Sequence, residues 1–354
     1  MSRPSRPLPR LLLPLLAAAL LAPPARGLDL DLVLVADPGN APDTQIMNCC
    51  DSNTGTTGLG SVPYPFYIGR TEVSVAEWVE LLNAVGADDP HGLYNDGNGD
   101  RFMSIWVDRT GSPGSYDYGV VPGTGNLPIG FIDFFDALRF ANWLHNGQPS
   151  GAQDATSTED GAYTLTGTFT PFDVARNPDA LYFVPNNDEW YKAAFHEPFT
   201  DTYHRYAFGG ITPIPEPPPG VAGSANFASP VACLPEDEPI QSGPCMQTPV
   251  GAYTASASPW GTFDQGGNHL EWLESQAVDP AEGRVFRGGW WPRGLGDLDA
   301  RNMDRIQPEI QNAGGLGFRV APEPGAVAQL VLGGTILWGV KRRRARRCAP
   351  HAAA

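Results

Sequence analysis

At 354 residues, the chain is long enough for two average domains or one large irregular one. Charged residues make up 18% and hydrophobic ones 42%, which excludes a disordered polyelectrolyte and allows a sizeable core. The net charge of -16 understates the acidity of the middle, because Arg3, Arg6, Arg10, Arg26 and the run Lys341, Arg342, Arg343, Arg344, Arg346, Arg347 all lie at the two ends. Such a body repels nucleic acid and lipid phosphate, so nucleic-acid binding is excluded. With 41 glycines and 36 prolines, short elements joined by long ordered loops are expected.

In chain order, three arginines precede the apolar run Leu11 to Ala22, and Ala25-Arg26-Gly27 supplies the small residues of a cleavage site, so residues 1–27 read as a secretory signal peptide. From Leu28 to Leu34 apolar residues alternate with aspartate as in a half-exposed strand, and a Gly/Asn/Thr-rich lead-in follows to residue 61. Three helices then stand out. Ser74 and Glu77 form a capping box ahead of Trp78, Leu81, Leu82 and Val85. Asp133 caps a second helix carrying Ala137, Phe140, Ala141 and Leu144 on one face. Asn186 and Glu189 start a third, with Trp190, Ala193 and Ala194 inward. Further strands are expected at Arg284 to Gly288 and Leu316 to Ala321, and Ile214 to Gly220 is an extended proline-rich surface loop. The class is α+β, irregular, in one domain.

Five cysteines stand at Cys49, Cys50, Cys233, Cys245 and Cys348, with no C-x-x-C pair to suggest a redox or zinc-ribbon site. In an oxidising compartment Cys233 and Cys245 would staple a short loop, while the pairing of Cys49 and Cys50 stays open. At the far end an apolar stretch from Gly325 to Val340, shorter than the ~20 residues of a usual span, runs into the arginine block.

Pro322-Glu323-Pro324, that stretch and the basic tail together resemble the PEP-CTERM sorting signal over residues 322–347. The resemblance implies a transient membrane anchor handled by exosortase-type sorting machinery, with delivery to the cell envelope, the outer surface or the medium. A permanent membrane tail is the alternative.

Between residues 62 and 321, six segments in order resemble the formylglycine-generating-enzyme (sulfatase-modifying factor) family. They are Tyr67 to Ser74, Leu127 to Asp133 with Asn142-Trp143-Leu144, Phe183 to Trp190, Gly261 to Trp272, Arg287-Gly288-Gly289, and Gly317-Phe318-Arg319. The resemblance implies an irregular C-type-lectin-like α+β domain with little regular secondary structure and bound calcium. Gly288 and Gly289 would supply backbone conformations closed to other residues, and Trp143, Trp190 and Trp272 would tie the short elements into one core.

Catalytic members oxidise a substrate cysteine to formylglycine with copper held by two cysteines shortly after the double glycine. Here that stretch holds no cysteine, and Arg293 and Asp297 stand at the corresponding positions. A guanidinium cannot bind a cation and a carboxylate is too hard for Cu(I), so copper is not expected and no catalytic residue is assigned. Related branches use an iron centre built from histidines. His91, His145, His196, His204, His269 and His351 show no H-x-H or H-x-x-x-H spacing.

Calcium is the expected cofactor: Asp264 and Glu271 offer hard carboxylate donors around a glycine-rich turn, and by resemblance the carbonyls of Gly267 and His269 complete the set. A plain acidic-capped turn with Trp272 in the core is the other reading. A second calcium site would fall on Asn226 and Phe227 with Ser242 in place of an aspartate. The Asn95 to Asp100 run looks like a calcium loop but lacks the EF-hand glycine and glutamate, and reads as a turn. The function implied is an exported, non-catalytic, calcium-stabilised binding or scaffold module for an unknown protein or glycan. Trp290 and Trp291 beside Arg293 are its candidate ligand platform, with burial in the core the other reading. The alternative is a formylglycine-generating oxidase, or a related oxidoreductase with a non-standard site.

Overall fold

The computed structural model describes residues 27–49, 52–53, 56–96, 103–167, 174–228, 247–277, 283–306 and 315–323. The expected signal peptide, most of the C-terminal sorting segment, Cys50, Cys233, Cys245, Cys348, Ser242 and the stretch 97–100 lie outside them.

The three helices form where their caps stand. α1 (Val75–Val85), α2 (Phe134–His145) and α3 (Asn187–Phe195) each open with a reciprocal capping box, in the pairs Ser74/Glu77, Asp133/Asp136 and Asn186/Glu189. The N-cap side chain takes an orphan amide of the first turn and the acidic residue returns a bond to the N-cap amide.

The centre is a four-stranded sheet in the order Asp304–Ile306, Arg284–Arg287, Leu270–Gln276, Leu316–Gly317. The middle pair is antiparallel, with Trp272 opposite Phe286, and the last pair is parallel, with Glu271 opposite Gly317. Successive side chains along a strand point to opposite faces, so the two middle strands feed two cores. Trp272 and Phe286 enter a large core with α1 and α2, whereas Leu273 and Val285 enter a smaller one with α3. In the large core Trp78 stacks on Phe140 at 5.8 Å, and Phe318 meets both rings edge-on at 6.2 and 5.4 Å. The three tryptophans expected to share one core are therefore divided: Trp143 and Trp272 lie on one face of the sheet and Trp190 on the other.

Near the N-terminus the strand is shorter than the alternation predicted, covering Leu32–Val35, because its antiparallel partner Phe66–Gly69 offers only four residues. The lead-in is part of the body. Met47 and Leu59 sit in the smaller core, and the Tyr191 hydroxyl donates to Asp43 at 2.7 Å. The strand expected over Leu316 to Ala321 is split into Leu316–Gly317 and Ala321–Pro322, the latter pairing with Tyr182–Phe183.

Replacing Ser74 by Ala removes the side-chain oxygen that takes the Glu77 amide and should lower stability by about 1 kcal/mol, read as a fall in the urea midpoint at unchanged slope.

Candidate functional site

The glycine-rich turn between Asp264 and Glu271 is held against the double glycine. The Gly267 amide donates to the Gly288 carbonyl at 2.6 Å and the Asn268 amide to the Asn226 carbonyl at 2.8 Å. Gly267 has φ +102, and a Cβ there would stand 2.6 Å from the Asn226 carbonyl oxygen. Gly288 and Gly289 also take positive φ, 111 and 81, as the sequence implied, and a Cβ on Gly289 would meet Leu298 at 2.6 Å. Asp264 and Asn268 adopt left-handed backbone despite their side chains, at φ 61 each.

Under this turn lies a buried charge cluster. Arg319 donates through Nε and Nη2 to the two oxygens of Glu271, both at 2.6 Å, and neither side chain is exposed at all. The Trp190 indole adds a third donor to Glu271, at 2.9 Å. Arg319 spends its remaining donors on the carbonyls of Gly69, Arg70 and Phe263. Glu72 and Asp264 complete the cluster, also buried. Burial, followed by the charges of Asp264 and Glu271, holds the Glu72 carboxyl well above the ordinary carboxylate range. Burial also pushes Asp264 up to about 6, although it accepts the Gly251 amide at 2.6 Å and meets the Glu72 carboxyl. Burial pushes the His269 ring down to about 3, so it is neutral.

The four residues expected to hold calcium are thus brought into one turn, in which the Glu271 oxygens are met by Arg319 and Trp190. Both oxygens of Glu271 are engaged by a guanidinium, a fixed positive charge beside which a calcium ion would be repelled. Asp264 turns to Glu72 and the Gly251 amide instead. Arg319 supplies one positive charge among the carboxylates of Glu72, Asp264 and Glu271. Asn226, expected at a second calcium site, braces the turn through its carbonyl and a 3.2 Å side-chain bond to Asn268, while Phe227 is core. In the run at Asn95, Asp96 pairs with Arg109 at 2.9 Å.

Beside the double glycine is a small, partly open recess of about 40 Å³, lined in part by Leu270, Arg287, Arg293 and Asp297. Arg287 is buried and donates to Asn187 at 2.6 Å and to the carbonyls of Ala300 and Asn302. It is a structural clamp. Arg293 and Asp297 lie 4.0 Å apart with side chains 61% and 32% exposed, a solvent-screened pair worth little to stability. Trp290 and Trp291, which sequence left between platform and core, are half-buried at the surface, edge to face at 5.7 Å.

Two changes probe the cluster. Arg319→Met strands the Glu271 charge and should cost ~3–5 kcal/mol by urea denaturation, part of which returns when Glu271→Gln is added. The folded-state pKa of Asp264 lies above its unfolded value, so its contribution to stability is full below about pH 4 and is lost as pH rises through about 6. Asp264→Asn should therefore gain on the natural protein as pH rises from 4 to 8, read as diverging urea midpoints.

The model of the sulfatase-modifying factor enzyme 1-like domain matches residues 57–324. Among solved structures, that of CarF aligns at 21% identity over 83% of this chain and 98% of its own, with a TM-score of 0.49. Variable protein 1 of Treponema denticola aligns at 19% identity over 83% and 95%, TM-score 0.49, and PvdO of Pseudomonas aeruginosa at 18% over 82% and 94%, TM-score 0.42. No curated protein matches. With the domain model matched across most of its length, including the turn, the double glycine and the Arg319 segment, the chain belongs to the family of sulfatase-modifying factor enzyme 1-like domain proteins.

Proposed function

We propose that this family member is an exported, non-catalytic binding or scaffold module whose ligand, a protein or glycan, meets the surface around Trp290, Trp291 and Arg293. The observation that carries this reading is the recess at Gly288 and Gly289. It presents an exposed arginine–aspartate pair at Arg293 and Asp297, where copper chemistry needs soft thiolates. Half-buried indoles at Trp290 and Trp291, with Arg293 close behind in sequence, suit stacking on a sugar or an aromatic side chain with a charge-assisted bond alongside. Calcium at Asp264, Gly267, His269 and Glu271 would share the Glu271 carboxylate with Arg319, which ties this interior together.

Export rests on the signal-peptide pattern of residues 1–27, and the tail of 322–347 would serve as a transient anchor for exosortase-type machinery, leaving the body at the envelope or outside it. Among the described residues no helix is long and apolar enough to cross a membrane.

The deciding measurement is mass spectrometry of a Cys-x-Pro-x-Arg peptide incubated with the purified protein, copper and air. The expected outcome is an unchanged peptide mass. Conversion of the cysteine to formylglycine overturns the non-catalytic reading in favour of an oxidase.

A further inference from the structure

The end of α3 carries a second constellation that shares no residue with the recess. His196 follows the helix, and its imidazole is fully buried, stacked on Trp260 at 6.0 Å with an interplanar angle of 15° and packed against Tyr203 at 5.2 Å. These rings fix its direction. Its Nε2 atom faces two carboxylates: Asp201 Oδ1 at 3.1 Å, from the turn of the His196–Glu197/Thr202–Tyr203 hairpin, and Asp37 Oδ2 at 3.7 Å, from the segment after the N-terminal strand. The three donor atoms all lie within 4.8 Å of one another, and among the described residues this is the one such group of histidine, cysteine and carboxylate donors.

The spacing has a metric meaning. A tetrahedral ion with ligands at about 2.1 Å separates them by about 3.4 Å, which brackets naturally between the two observed separations. Nδ1 lacks a partner in either tautomer and would lack one with a metal on Nε2, so the contacts that distinguish an ion from a proton are those at Nε2. With the proton on Nε2, one aspartate is bonded and Nδ1, which has no hydrogen-bond partner, is a buried bare acceptor. With the proton on Nδ1, the Nε2 lone pair confronts both carboxylates. The nearby cation is Lys192, whose ammonium donates to the Asp37 backbone carbonyl at 2.6 Å and so offsets one of the two negative charges.

We propose that His196 Nε2, Asp201 Oδ1 and Asp37 Oδ2 form a binding site for a zinc-class divalent cation. Imidazole among the donors selects such ions over calcium and magnesium, which take all-oxygen shells. Three protein ligands leave an outward position for water, since the two carboxylates are 42% and 51% exposed at the side chain. The ion clamps the hairpin to the N-terminal segment and thereby stabilises the packing of the lead-in on α3.

The test uses the full chain without an affinity tag, stripped with chelator and titrated with Zn²⁺ against a chromophoric competitor, with Co²⁺ as a visible probe of coordination. Expected are one equivalent bound and a higher melting temperature with zinc. Asp201→Asn and Asp37→Asn, both at exposed carboxylates, should weaken binding roughly tenfold or more and abolish the zinc-dependent shift while melting normally in chelator. No saturable binding, equal affinity in the variants, or binding of calcium in preference to zinc overturns the proposal. So does a loss of stability in Asp201→Asn that is the same with and without zinc, which is the signature of a plain hydrogen bond.

Discussion

The Glu271–Arg319 pair is the constraint around which the body is arranged. Placing two charges where no water reaches them costs several kcal/mol per ion, and the cost is offset only when every donor and acceptor is met at good geometry. Here the guanidinium meets Glu271 through two parallel bonds and returns its other donors to backbone carbonyls at Gly69, Arg70 and Phe263. Three chain segments far apart in sequence are thereby fixed to the middle strand of the sheet. In a protein whose sheets other than the central one are two-stranded among the described residues, such a tie replaces what longer ladders would otherwise supply.

The same pair leaves a residue of negative charge. Glu72 and Asp264 share the cluster with one arginine, and low-dielectric surroundings penalise two further carboxylates beside Glu271. A proton held between Glu72 and Asp264 resolves this without a metal, and it explains why Glu72 bears an oxygen with no donor facing it. The left-handed Asp264 and Asn268 of the glycine-rich turn are held by bonds to Gly251, Asn226 and Thr248.

What the sequence discloses divides by the range of the interaction. Capping boxes at Ser74, Asp133 and Asn186 are local, with both partners within one turn, and they appear where the spacing puts them. The glycines 288 and 289 are legible because positive φ is a property of one residue. Trp190 and Trp272 are correctly interior, yet their separation onto opposite faces of one sheet follows from strand alternation combined with the sheet's position, which no local pattern carries. The partner of Glu271 was hidden for the same reason. The carboxylate spacing in the turn is visible, but the guanidinium that claims it arrives from Arg319 across 48 residues of sequence. Asp37, His196 and Asp201 were equally invisible, since Asp37 reaches the hairpin of His196 and Asp201 from a segment far away in sequence.

This division bears on where function can change in such a scaffold. The interior cluster and the clamp of Arg287 on Asn187, Ala300 and Asn302 fix the backbone of the double glycine from below, so the recess keeps its shape whatever side chains rim it. Arg293 and Asp297 face each other across 4.0 Å in a solvent-screened contact at the rim, apart from those buried clamps. Different side chains at the rim are therefore compatible with one unchanged core. Chemistry at the rim and stability beneath it are separable because the buried arginines, not the rim residues, hold the turn in place.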